Sequence, residues 1–221
     1  MYRRSLWFWK NFASDDTVCD LLIFLDGQNL FKAASLGRRR HWNAERHFAQ
    51  RHHPLLVVGV PASVRRYPEY IGWSREPGHF SISAQKHAYF LVHFLLPYVR
   101  DLYPRSQIKG LIGASAGGVA ALYTAWSFPR VFPAVGCLSA GRHYFSELLE
   151  LYEGMPAQKL YLSCGDTGMD AELLPSSKKF AKLLRARKGL DLRTCWHRGK
   201  HSEVVWSRRL PDLLDFFLGE A

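Results

Sequence analysis

The run Ile108-Lys109-Gly110-Leu111-Ile112-Gly113-Ala114-Ser115-Ala116-Gly117-Gly118 passes from apolar and branched to small and glycine-rich, and a segment of helical period, Ala116–Trp126, overlaps its end. Ile108–Ile112 has the length and composition of a buried strand. Gly113, Ser115 and Gly117 then match G-x-S-x-G. The pentapeptide alone marks an ordinary tight turn as readily as a site. Placed between a strand and a helix, it fits a nucleophile elbow, in which small neighbours let a serine project from a strained turn. Ser115 is therefore the candidate nucleophile.

The alternation continues on either side. Further strands are expected at Val18–Leu25, Leu55–Val60, Ala134–Leu138, Lys159–Cys164 and Leu190–Trp196, and helices near Ala44–Arg51, Ala84–Leu102, Tyr144–Tyr152, Ser177–Arg187 and Ser207–Leu218. In Ser177–Arg187 the apolar Phe180, Leu183 and Leu184 recur at helical spacing, while Lys178, Lys182 and Arg185 take the other face. Gly189 follows, where a left-handed terminal residue ends a helix. Pro97 should kink or divide Ala84–Leu102. Strands joined through helices make a mostly parallel α/β sheet. Pro61 to Ser83, punctuated by Pro61, Pro68, Gly72, Pro77 and Gly78, reads as a long loop carrying Tyr67, Tyr70, Trp73 and Phe80.

Length and composition narrow the classes. A chain of 221 residues, 48% hydrophobic and 22% charged, suits one globular domain over residues 1–221. Cys19, Cys137, Cys164 and Cys195 are widely spaced, with no C-x-x-C pair, and read as reduced thiols. Arg3 and Arg4 precede Leu6, Trp7, Phe8 and Trp9, but Lys10 and Asn11 interrupt the apolar stretch and no small-residue cleavage site follows. No apolar run reaches the roughly 18 residues of a membrane span, so a cytoplasmic protein without a membrane partner is expected. The net charge of +11 is dispersed among Arg38 to Arg40, Arg65 with Arg66, Lys178 with Lys179, and Arg208 with Arg209. No nucleic-acid motif surrounds these groups, and no nucleic-acid partner is expected.

A neutral serine is a weak nucleophile and needs a base. In this architecture the base is a histidine beyond the last strand. His201, in Gly199-Lys200-His201-Ser202-Glu203 after Leu190–Trp196, occupies that place. Acyl chemistry also needs donors for the oxyanion, usually two backbone N–H groups. Ala116 supplies one. Asp26-Gly27-Gln28-Asn29, directly after the first predicted strand, offers the Gln28 N–H as the other. His41, His47, His52 and His53 lie close in sequence without H-E-x-x-H or an acidic ligand and read as surface residues, and G-x-G-x-x-G is absent. No metal and no cofactor are expected.

Phe24-Leu25-Asp26-Gly27-Gln28-Asn29-Leu30-Phe31, Gly113-Ala114-Ser115-Ala116-Gly117-Gly118 and His201-Ser202-Glu203-Val204-Val205-Trp206 together resemble the putative-esterase family, which includes enterochelin esterase, esterase D and feruloyl esterases. Val57-Val58-Gly59-Val60, Glu69-Tyr70, Phe128-Pro129-Arg130-Val131-Phe132 and Leu138-Ser139 extend the similarity to about Val18–Leu218. The resemblance implies an α/β-hydrolase fold, with a mostly parallel central sheet flanked by helices and, given the short Met1–Thr17, reduced N-terminal strands. It implies Ser115 and His201 as catalytic residues and Gln28 and Ala116 as oxyanion donors. Asn29, Tyr70, Trp73 and Trp206 are expected to line the substrate pocket.

The acid departs from the family pattern. Its usual position, three residues after the strand-ending Gly165, is held here by Gly168. Asp170, on a loop free to swing toward His201, is the expected acid, with Asp166 the alternative if the strand ends earlier. The implied activity is hydrolysis of a small-molecule carboxylic ester through an acyl-enzyme. Acyl transfer at the same residues, or a binding protein on a degenerate hydrolase fold, are the alternatives.

Overall fold

The computed structural model describes residues 4–31, 41–75, 81–151 and 158–219. Of the residues singled out above, Arg3, Arg38 to Arg40, Pro77, Gly78, Phe80 and Tyr152 lie outside these. Seven strands form one sheet: β1 (Trp7–Lys10), β2 (Cys19–Leu25), β3 (Leu55–Val60), β4 (Ser106–Ala114), β5 (Ala134–Leu138), β6 (Gln158–Cys164) and β7 (Leu190–Trp196). Their spatial order is β1-β3-β2-β4-β5-β6-β7. All neighbours are parallel except β1, which runs antiparallel along β3 with Trp7 opposite Gly59. This is the mostly parallel, helix-flanked sheet of an α/β-hydrolase. A single antiparallel strand, β1, precedes its parallel part, where the sequence pattern over four residues was too short to announce a strand.

Burial on both faces explains the continuous apolar runs of the central strands. Side chains alternate across β2: Leu21, Ile23 and Leu25 enter one core, and Leu22 and Phe24 the other. The first core packs under α2 (Arg66–Ile71), α3 (Ser83–Phe90), α4 (Leu96–Leu102), α5 (Ala116–Ser127), α6 (Tyr144–Leu151) and α7 (Met169–Arg185). The second packs under α1 (Glu45–Phe48), α8 (Glu203–Ser207) and α9 (Leu210–Leu218). Among the described residues no helix is long and apolar enough to cross a membrane.

Several boundaries differ from the sequence expectation for physical reasons. The segment after Pro61 is not all loop: α2 forms within it, and the Trp73 indole N–H closes on the Tyr70 carbonyl at 3.0 Å. α7 begins at Met169, well before Ser177, because Pro175 is accommodated inside the helix. Ser176 and Ser177 donate their hydroxyls back to the Leu173 carbonyl at 2.8 and 3.0 Å. Between α3 and α4 the turn Leu91–Leu95 widens to π-helical hydrogen bonding just ahead of Pro97, which has no N–H to donate, and the helical run continues through it. His47 is buried rather than superficial, with Nε2 3.1 Å from the Ser207 hydroxyl.

β4 extends to Ala114 and delivers Ser115 directly to the start of α5. This strand-to-helix step is tight. A Cβ on Gly113 would stand 2.2 Å from the Gly117 carbonyl oxygen, which is backbone and cannot yield. We expect Gly113→Ala to destabilise the fold by about 3 kcal/mol, measured as a shift of the urea midpoint; a midpoint equal to the wild type would contradict this account of the turn.

Candidate active site

Ser115 adopts φ 57° and ψ −130°, a conformation L-residues rarely take. It is held there by its N–H, which donates to the Leu138 carbonyl on β5 at 2.8 Å, and by its carbonyl, which accepts from Gly118 at 3.0 Å. The glycines are needed for space. A Cβ on Gly117 would lie 2.9 Å from Asp26 Oδ2, and one on Gly118 would lie 3.0 Å from Cys137 Sγ. The side chain therefore projects from the end of β4, and Ser115 is the residue capping the N-terminus of α5. It borders a cavity of about 160 Å³ together with Tyr67, Ile71, Val119, Arg142 and Met169.

Asp26 shapes the neighbouring turn at the end of β2. Its backbone is left-handed at φ 57°, and its carboxylate accepts two hydrogen bonds from Arg66, at 2.8 Å from Nε and 2.7 Å from Nη2. Burial tends to lower the charge on the guanidinium, but the hydrogen bonds and charge of Asp26 outweigh it and raise the Arg66 pKa. The Gln28 side chain spans from Asp26 Oδ1 at 3.2 Å to the Ala62 N–H at 2.9 Å, which fixes the single turn of 3₁₀ helix Gly27–Asn29. Neither the Gln28 N–H nor the Ala116 N–H has a hydrogen-bond acceptor among the described residues. Asn29 uses its backbone in the same turn, donating to Asp26 and accepting from Trp42.

His201 Nδ1 lies 2.7 Å from Asp170 Oδ1. Asp170 is fully buried in the first turn of α7, not on a mobile loop as its sequence position suggested. Its other oxygen accepts from the Ser139 hydroxyl at 2.7 Å and from the Gly165 N–H at 2.9 Å. Burial alone would raise this carboxyl, but the hydrogen bonds from His201, Ser139 and Gly165 prevail and hold it below the ordinary carboxylate range. Asp166 is exposed and serves the loop: it exchanges hydrogen bonds with Gly199, its N–H donating at 3.1 Å and its Oδ1 accepting at 3.1 Å. No hydrogen bond joins the Ser115 hydroxyl to His201, which opens onto a depression lined by Lys200, Val204 and Arg208.

Three expected pocket residues belong to the interior. Tyr70 is completely buried, and its hydroxyl accepts from the Asp26 N–H at 3.1 Å. Trp73 stacks on Tyr123 with ring centroids 5.2 Å apart. Trp206 is buried, sets its ring edge-on to His201 at 4.9 Å, and donates its indole N–H to Ser139 Oγ at 2.8 Å. All three are apolar-bodied side chains with a polar tip, and each tip finds its partner inside the protein. Among the described residues the exposed Tyr67 and the half-buried Tyr144 are the aromatics that border the cavity. Arg66 and Ser139 escaped sequence reasoning, since neither stands in a motif.

Comparison with known proteins follows this geometry. A model of the family described as Putative esterase matches residues 9–217. The chain belongs to the Putative esterase family. A search of curated proteins found no match. Among solved structures, the chain resembles the enterobactin esterase FES from Shigella flexneri, at 20% identity and a TM-score of 0.68, covering 98% of this chain and 55% of that one. It is similar to the siderophore hydrolase EstB from Aspergillus nidulans, at 18% identity and a TM-score of 0.66, covering 90% of this chain and 83% of that one. An IroE-like serine hydrolase from Shewanella oneidensis gives 19% identity and a TM-score of 0.66 over 90% of this chain and 69% of that one. At such identities these likenesses establish the fold. The chain spans a little over half the length of several of these structures, 54 to 59%. Membership of the Putative esterase family supports hydrolysis of esters.

The lowered Asp170 pKa makes a stability prediction. A carboxyl depressed on folding stabilises the native state above its unfolded value of about 3.9, and that contribution is lost as pH falls through the folded value. Asp170→Asn removes it and also turns an amide N–H toward one of three donors. We expect the variant to be less stable than wild type at neutral pH, with the gap narrowing below about pH 3.9. Urea titrations of both proteins across that range measure it; a gap independent of pH would contradict the assignment.

Proposed function

We propose that this chain is a serine esterase acting through an acyl-enzyme, with Ser115 as nucleophile, His201 as general base, Asp170 as the carboxylate that orients it, and the Gln28 and Ala116 N–H groups as the oxyanion hole. The observation that carries the reading is the strained Ser115 at the end of β4, in a chain whose His201 is already tethered through Nδ1 to a buried carboxylate. That tether leaves Nε2 for the serine.

The steps follow from these roles. Ser115 Oγ adds to the ester carbonyl carbon as its proton passes to His201 Nε2, and the carbonyl oxygen becomes an oxyanion that the two backbone N–H groups receive. Collapse expels the alcohol, which takes the proton from His201. Water then repeats the sequence on the acyl-enzyme, releasing the acid and restoring Ser115. Asp170 accepts from Nδ1–H throughout, holding the useful tautomer and stabilising the imidazolium. The N-terminus of α5 adds its partial positive charge beside the oxyanion. The absent Ser115 to His201 hydrogen bond is consistent with a site that tightens on its substrate, as catalytic contacts in unliganded enzymes do.

The cavity beside Ser115, about 160 Å³, suits a compact acyl group, and the exposed Tyr67 and Arg142 at its margin suit an aromatic or anionic one. Several similar structures are of proteins acting on siderophore esters, and we extend that substrate class to this chain.

A fluorophosphonate should label wild type and not Ser115→Ala, and Ser115→Ala and His201→Ala should each abolish cleavage of an aryl ester. Asp170→Asn should lower turnover by up to roughly 10⁴, whereas Asp166→Asn, which only loosens the Gly199 loop, should cost far less. Equal labelling of wild type and Ser115→Ala would overturn the mechanism and favour a binding protein; a large loss confined to Asp166→Asn would move the acid.

A further inference from the structure

A second cavity, about 670 Å³, lies between β1, α2, α3 and α4 and shares no lining residue with the one beside Ser115. Its charges are unbalanced. Arg4 is committed to Glu69 at 2.5 Å and to the Pro61 carbonyl at 3.2 Å. Arg65 and Lys86 also line the cavity, are exposed, and have no side-chain partner among the described residues. Two uncompensated cations therefore converge on one concavity.

His87 forms part of its wall. It is 4% exposed, and Nε2 is shielded from solvent without any hydrogen-bond partner. Burial first, and the nearby Arg4 charge second, push the imidazole down to about 3. It is neutral at physiological pH and adds no charge to the wall.

The remaining wall is apolar and aromatic. Phe90 and Tyr98 line it, and Phe94, 61% exposed, closes one side. Phe94 and Lys86 also border an adjoining hollow of about 390 Å³ with Tyr89, which is 52% exposed. Large aromatic surface left in water around a concave, cationic site is the anatomy of a ligand pocket. A metal ion is disfavoured, because the excess charge is positive and, among the described residues, the lining offers one imidazole and one carboxylate, Glu69, whose Oε1 is bound to Arg4.

We propose that this cavity is a binding site for an aromatic carboxylic acid, its carboxylate on Arg65 and Lys86 and its rings against Phe90, Phe94 and Tyr98. The proposal does not depend on the esterase reading. Its chemistry is that of charge-assisted hydrogen bonds at one end and ring packing at the other.

Calorimetric titration of the full chain with 2-naphthoate tests it. One saturable site is expected in wild type and unchanged in Ser115→Ala and Tyr67→Ala, which touch only the catalytic cleft. The neutral 2-naphthamide, and the variants Arg65→Gln and Lys86→Gln with 2-naphthoate, should each bind on the order of tenfold more weakly. Both variants alter exposed, unpaired side chains, and equal melting temperatures verify that they fold. No saturable heat by about 1 mM ligand, equal affinity for acid and amide, or loss in Tyr67→Ala with full binding in Lys86→Gln would each overturn the proposal.

Discussion

The φ of 57° at Ser115 is a conformational cost that the surrounding structure must offset, on the order of 1–3 kcal/mol for a residue of this kind. The Leu138 carbonyl on β5 takes its N–H, and the start of α5 takes its carbonyl. Those two anchors require β4, β5 and α5 to meet closely, which is possible only because Gly113, Gly117 and Gly118 carry no side chain. The same closeness brings Asp26 against Gly117 and so joins the turn after β2 to Ser115. The proposed oxyanion donors and the serine are in this sense one packing problem.

A second constraint lies at Asp170. A fully buried carboxylate is expensive unless its lone pairs are used, and here His201, Ser139 and Gly165 use them. Trp206 continues the chain by donating to Ser139 while its ring edge supports His201. The imidazole is thus oriented from two sides, by a hydrogen bond and by packing. Asp166 adds a third influence through Gly199, two residues ahead of the histidine.

Helix α2 stands between the two cavities. Arg66 reaches one way to Asp26, and Glu69 reaches the other way to Arg4. Tyr67 borders the catalytic cleft, while Arg65 borders the cationic cavity. Between them Tyr70 is buried with its hydroxyl on the Asp26 N–H and its ring 5.3 Å from His87. An element of six residues with so many outward commitments is held by tertiary contacts, since a helix this short has little stability of its own.

By itself the sequence determined the parallel α/β sheet, the turn at Ser115 and the loop bearing His201, because each is encoded in a few adjacent residues or in chain order. It put Asp170 ahead of Asp166 as the expected acid, but on a loop, because Pro175 masked a helix start that hydrogen bonds to Leu173 make possible. Tyr70, Trp73 and Trp206, expected at the pocket, are buried, since an aromatic residue near a site has the same letters whether its ring points outward or inward. Arg66 and Ser139 were invisible, because their partners stand 40 and 31 residues away. Only the tertiary structure decided these, for the physical reason that hydrogen-bond satisfaction and burial are properties of the folded neighbourhood, whereas periodicity and turn chemistry are properties of the local chain.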